Sequence, residues 1–77
     1  MADGDSQLTG EQWIAAFARR AGVGEPTPRQ ADALLKLAGI AAHSSERTAA
    51  PLACWVAGRS ARSLQELLDE AAQVASE

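Results

Sequence analysis

His43, Ser44, Ser45, Glu46, Arg47 and Thr48 form a polar run between two alanine-rich segments. The stretch that contains it, Ala41 to Gly58, holds the only His, the only Cys and one of the two Trp of the chain. If His43 sits on a continuous helix, it lies one turn before both Glu46 and Arg47. A His with a carboxylate at that spacing can act as an acid/base pair or as two ligands of a metal. Two ligands are too few for zinc, which takes three or four protein groups. Cys54 is expected to pack inside a helix as a small apolar residue rather than supply a third ligand. His43 beside Ser44 and Ser45 is not a triad, because triad members meet in space from separate elements. No glycine-rich phosphate loop is present. The expectation is a chain that is not an enzyme, holds no metal and carries no cofactor. What remains for the polar run is structural service, with Glu46 and Arg47 pairing to neighbouring helices while His43 caps a helix or fills a gap, or recognition of a ligand or a partner, the partner-binding set being His43, Glu46, Arg47, Thr48 and Trp55.

The elements that must position these residues are all helical. Thr9 and Gln12 form a capping box, and the helix they open runs to about Ala21, where Gly22 suits a left-handed terminus. Trp13, Ile14, Phe17 and Ala21 are its apolar stripe. Thr27, Pro28 and Gln30 repeat the start signal. They open a second helix with Ala31, Leu34, Leu35, Ala38, Ala41 and Ala42 on one face, widened by Leu37 and Ile40, so it is expected to be the central helix. Gly39 inside it costs roughly 1 kcal/mol against Ala, which points to close approach of another helix. This helix ends between His43 and Arg47. Thr48 is the expected N-cap of a third helix, with Pro51 in its first turn and Leu52, Trp55 and Val56 as its stripe. Ser63 and Glu66 box the start of a fourth, with Leu64, Leu67, Leu68, Ala71, Val74 and Ala75 inward. Four helices without a strand pattern predict an all-α fold, a small antiparallel four-helix bundle over residues 9–77, preceded by a flexible N-terminus over residues 1–8.

In an up-and-down bundle the end of the first helix, the start of the second, the end of the third and the start of the fourth share one pole. Arg19, Arg20, Arg29, Arg59 and Arg62 then gather there, opposed by Glu25 and Glu66. Solvated arginines complementing helix dipoles are the plainer account. An anion or phosphate pocket is the sharper one, since two helix N-termini point the same way, and a docking face for an acidic partner is the equal alternative.

Composition sets the outer bounds. Seventy-seven residues make one domain, 47% hydrophobic and 22% charged; a chain of this length buries only about 60% of its unfolded surface. Much of the hydrophobic share is alanine. Trp13, Ile14, Phe17, Leu34, Leu35, Leu37, Leu52, Trp55, Val56, Leu64, Leu67, Leu68 and Val74 must therefore supply most of the core, and a larger partner or a homodimer would add stability. A single Cys and no signal peptide predict a cytoplasmic protein. No run reaches the roughly 20 apolar residues of a membrane span. A net charge of −3 argues against nucleic acid, as does a third helix beginning TAAPLACWVAGR, without Arg, Asn or Gln near its start to read base edges. Six Arg against one Lys, with abundant Ala, reads as the coding bias of a GC-rich genome.

With these residues in view, WIAAFA at Trp13 to Ala18 and AAHSSERTAAPLACWVAG at Ala41 to Gly58 resemble a small all-helical domain of unknown function from actinobacteria. The HxxERTxAPL-type core is carried by His43, Glu46, Arg47, Thr48, Ala50, Pro51 and Leu52, and the resemblance spans Glu11 to the end. That family occurs as a free-standing chain, attached to the nucleotidyltransferase that makes molybdenum-cofactor guanine dinucleotide, or encoded near formate dehydrogenase accessory genes. The resemblance carries no catalytic residues. It implies an accessory role in molybdopterin guanine dinucleotide biosynthesis or formate dehydrogenase maturation, with the molybdenum cofactor guanylyltransferase or a formate dehydrogenase accessory protein as partner; the alternative in that setting is a carrier that holds a phosphate-bearing pterin or nucleotide at the arginine pole, Arg19, Arg20, Arg59 and Arg62.

Overall fold

A computed structural model describes residues 8–77. The expected loose terminus over residues 1–8 lies outside them except for Leu8. Four α-helices follow one another: α1 Gly10–Ala21, α2 Pro28–Ser44, α3 Ala49–Arg59 and α4 Leu64–Ala75. No strand occurs among the described residues, and the fold is a small all-α bundle. No helix among them is long and apolar enough to cross a membrane.

Local chemistry fixes most of the boundaries. Thr9, Thr27 and Ser63 each accept the amide N–H of the residue three places on, and Gln12, Gln30 and Glu66 each accept the cap residue's own N–H in return. Two orphan donors are thereby satisfied at each start. Pro28 occupies the first position of α2, where an amide would have no helical partner. At the end of α1, Gly22 adopts φ 81°, ψ 25°. The Val23 N–H donates to the Ala18 carbonyl at 3.0 Å and the Gly22 N–H to that of Arg19 at 3.2 Å, the paired bonds of a Schellman motif.

Helix α3 begins differently from the expectation. Thr48 precedes it, but its backbone is already helical at φ −67°, ψ −16°, and its hydroxyl makes no capping bond. The turn before α3 is instead closed by backbone: the Ala49 N–H donates to the Glu46 carbonyl at 2.9 Å and the Ala50 N–H to that of Arg47 at 3.1 Å. A Thr in the extended conformation could reach back to the helix amides; one that has entered the helical region cannot.

Packing is organised on α2, as its widened apolar face predicts. Helices α3 and α4 both lie against it, and α1 makes no comparable packing on any helix. The molecule is correspondingly long, 48 × 25 × 18 Å. Among the described residues the buried apolar set is Ala18, Leu37 and Ala57, none of them completely enclosed, and no charged or polar residue is buried. Leu34 of α2 and Leu64, Leu67, Leu68 and Ala71 of α4 are half-buried.

Several side chains expected inside are outside. Trp13, Ile14 and Phe17 of α1, Leu35 of α2, Leu52, Trp55 and Val56 of α3 and Val74 of α4 are all exposed; Ala21 and Ala75 are exposed as well. Helix α3 shows the reason. Ala50, Ala53, Cys54 and Ala57 recur at helical spacing and form a second stripe, of small residues, which is the face turned inward. The Cys54 thiol sits 3.9 Å from the Leu34 carbonyl, marking the contact of α3 with α2. The small face lets the helix backbones come close, and the large side chains are left on the other side.

Gly39 departs from its expected role. A methyl group added at its Cα would meet nothing within 4 Å, so no neighbouring helix approaches there, and its φ is not positive. Gly39→Ala is expected to raise the unfolding free energy by about 0.5–1 kcal/mol through helix propensity alone. A urea titration followed by helical circular dichroism checks it; a loss of stability would mean that a close neighbour exists at this position.

Candidate functional site

The C-terminal half of α2 and the face of α4 beside it form an open groove lined by Lys36, Ile40, His43, Ser44, Leu68 and Ala75. Its floor is aliphatic, from Ile40, Leu68 and Ala75, and its rim carries one ammonium, one imidazole and one hydroxyl. Sequence sets these positions simply. Lys36, Ile40, His43 and Ser44 follow the three-and-four spacing of one helix face, and Leu68 and Ala75 are seven apart on another. The Ser44 hydroxyl is turned back on its own helix, donating to the Ile40 carbonyl at 2.6 Å. Ser45 does the same to Ala41 at 2.6 Å. Both hydroxyls are thereby occupied in closing the last turn.

The polar run is split by the end of α2. Helix α2 stops at Ser44, and Ser45 takes φ −147°, ψ −101°. Glu46 and Arg47 therefore stand in the turn, off the helix, and the one-turn spacing to His43 no longer applies. The His–carboxylate pair that a continuous helix would allow does not form, for that reason. His43, Glu46 and Arg47 are exposed; none makes a side-chain hydrogen bond or ion pair among the described residues. The expected pairing of Glu46 and Arg47 with neighbouring helices is thus also absent. No group of three His, Cys, Asp or Glu side chains able to hold a metal occurs among the described residues. Thr48 lies beyond the groove, and Trp55 is on the outward face of α3, where the Arg59 guanidinium sits 5.3 Å from its ring centroid. His43 alone of the expected recognition residues lines the groove.

The arginine pole is brought together in part. Arg29 and Arg62 line a second surface depression with Gln30, Asp32, Lys36 and the start of α4; Arg19, Arg20 and Arg59 do not line it. Arg62 is already paired, to Glu70 at 3.1 Å and Glu66 at 4.0 Å. An anion arriving there meets Arg29, Lys36 and Arg62 beside Asp32, with Arg62 already opposed by the Glu66 and Glu70 carboxylates. The helix starts offer little more. At α2, Pro28 has no N–H and the Gln30 N–H is taken by Thr27; at α4 the Glu66 carboxylate closes the box. These exposed pairs are each worth about 0–1 kcal/mol.

With the geometry described, the comparisons can be set beside it. A family model described as a domain of unknown function, DUF6457, matches residues 5–77. The chain belongs to that family. No curated protein and no solved structure matches it. The match takes in all four helices of this DUF6457 chain, including the loosely packed α1. Lys36, Ile40, Leu68 and Ala75 were not singled out from sequence as site residues. The signal available was the wide apolar arc of α2, which is more than one neighbouring helix can cover.

Proposed function

We propose that this DUF6457 chain is a non-catalytic accessory module that acts by protein contact at the groove between α2 and α4. The single observation that supports the reading is the composition of that groove: an aliphatic floor edged by His43 and Lys36, with Glu46 and Arg47 exposed in the turn just beyond it. Apolar centres with a polar, charged rim are the ordinary make-up of protein–protein contacts. The Ser44 hydroxyl in the lining is held by the Ile40 carbonyl of its own helix, which favours recognition as the groove's role. The resemblance of Ala41–Gly58 to an actinobacterial domain found with the molybdenum cofactor guanylyltransferase favours a place in molybdenum-cofactor assembly. The partner is that transferase or a formate dehydrogenase accessory protein, and the role is in molybdopterin guanine dinucleotide biosynthesis or formate dehydrogenase maturation, in the cytoplasm.

The test is binding of the purified chain to the guanylyltransferase by titration calorimetry. Micromolar binding is expected, weakened about 10-fold or more by a Lys36→Glu, His43→Glu double substitution at the rim. Absence of binding to any protein of that pathway at micromolar concentration removes the proposal.

A further inference from the structure

Two helices of this chain carry large apolar stripes that no other helix of the monomer covers. On α1 they are Trp13, Ile14 and Phe17, with the Trp13 and Phe17 rings 5.2 Å apart; on α3 they are Leu52, Trp55 and Val56. Trp13 is 54% exposed, Phe17 58%, Leu52 67% and Trp55 65%. The helices are of matching length, 12 and 11 residues. They do not pack on each other within the chain, where close helix packing is confined to α2 with α3 and α2 with α4.

We infer that the occupant of these stripes is a second copy of the same chain, with α1 of each protomer lying antiparallel on α3 of its partner. Three observations select this arrangement. The first is number. A two-fold dimer pairs residue i with j and j with i, so two α1–α3 contacts cover both stripes of both chains, whereas a foreign partner must cover two separate faces at once. The second is area. On side-chain surfaces of about 150–250 Å² for the aromatic residues, the six side chains leave on the order of 700 Å² open per chain, close to the ~800 Å² per partner of a specific interface.

The third is charge. Glu11 lies at the start of α1 and Arg20 at its end, while Glu46 precedes α3 and Arg59 closes it. Antiparallel packing sets Glu11 beside the partner's Arg59 and Arg20 beside the partner's Glu46. Parallel packing sets acid against acid and base against base, which is repulsive. Arg19, beside Arg20 in the last turn of α1, and Arg47, next to Glu46, are the like charges that antiparallel packing brings to the same end, so the charge preference comes mainly from the Glu11–Arg59 end. The interface uses α1 and α3 only, so it stands or falls separately from the groove between α2 and α4.

Sedimentation of the full chain between about 1 µM and 1 mM tests it. The expected result is a reversible species of twice the 8.0 kDa chain mass. Phe17→Glu is expected to weaken association about 100-fold or more by placing an unpaired charge in the interface. It should leave helical content unchanged, because Phe17 is not part of the monomer core. Arg59→Glu should weaken the dimer several-fold, and adding Glu11→Arg to it should restore the affinity. A monomer throughout the range, a dimer indifferent to Phe17→Glu, or a charge-reversed pair that fails to recover would each overturn the inference.

Discussion

Leu37→Ala is expected to lower the unfolding free energy by about 3 kcal/mol, within the 2–5 kcal/mol range of buried leucine truncations. Leu37 is 7% exposed and is the only large side chain among the described residues in the buried set. Its neighbours in the core are half-buried, so few other contacts compensate for its loss. A single-core chain of this length holds only about 3–5 kcal/mol in reserve. The substituted chain should accordingly lose most of its helical circular dichroism under conditions where the parent is folded. Leu35→Ala, two positions away on the same helix, is the matched control: Leu35 is 71% exposed, and the change should stay within about 0.5 kcal/mol. Equal effects of the two substitutions would mean that the inward face of α2 is misassigned.

Ala57→Leu is expected to destabilise by about 1–3 kcal/mol, an opposite kind of damage. Ala57 is 7% exposed, on the small-residue face that α3 turns inward. Three added carbons there must push α3 away from its neighbour or take a poor rotamer. The separation would also open the contact marked by Cys54 and the Leu34 carbonyl. Urea denaturation reads the loss; a neutral or stabilising result would show a void beside Ala57 and would argue for a looser fit of α3.

The parts of this fold that could be read from the chain alone are those decided within a few residues. Thr9 with Gln12, Thr27 with Gln30 and Ser63 with Glu66 form their boxes because partner and cap are three residues apart, whatever the rest of the molecule does. Gly22 is of the same kind. Thr48 failed the same reasoning because the short turn carries it into helical geometry, and the residue three on is Pro51, whose nitrogen has no hydrogen to donate. Periodicity shows that a helix has an apolar face but not whether the chain supplies something to cover it. In α1 the stripe of Trp13, Ile14 and Phe17 was legible and its burial was not. Helix α3 is apolar nearly all round, and side-chain size favours the Leu52–Trp55–Val56 face. Helix packing favoured the alanine face instead. The site follows the same division: His43 stands out by type, whereas Ile40, Leu68 and Ala75 became groove residues only once α2 and α4 were side by side.

Trp13 and Trp55 are the chain's two indoles, and both face water in the monomer. Their fluorescence colour in the isolated folded chain should differ little from that of the denatured chain, so emission wavelength is a poor gauge of folding here. The same circumstance makes it a direct optical gauge of anything that settles over α1 or α3, because excluding solvent from either ring shifts the light toward the blue.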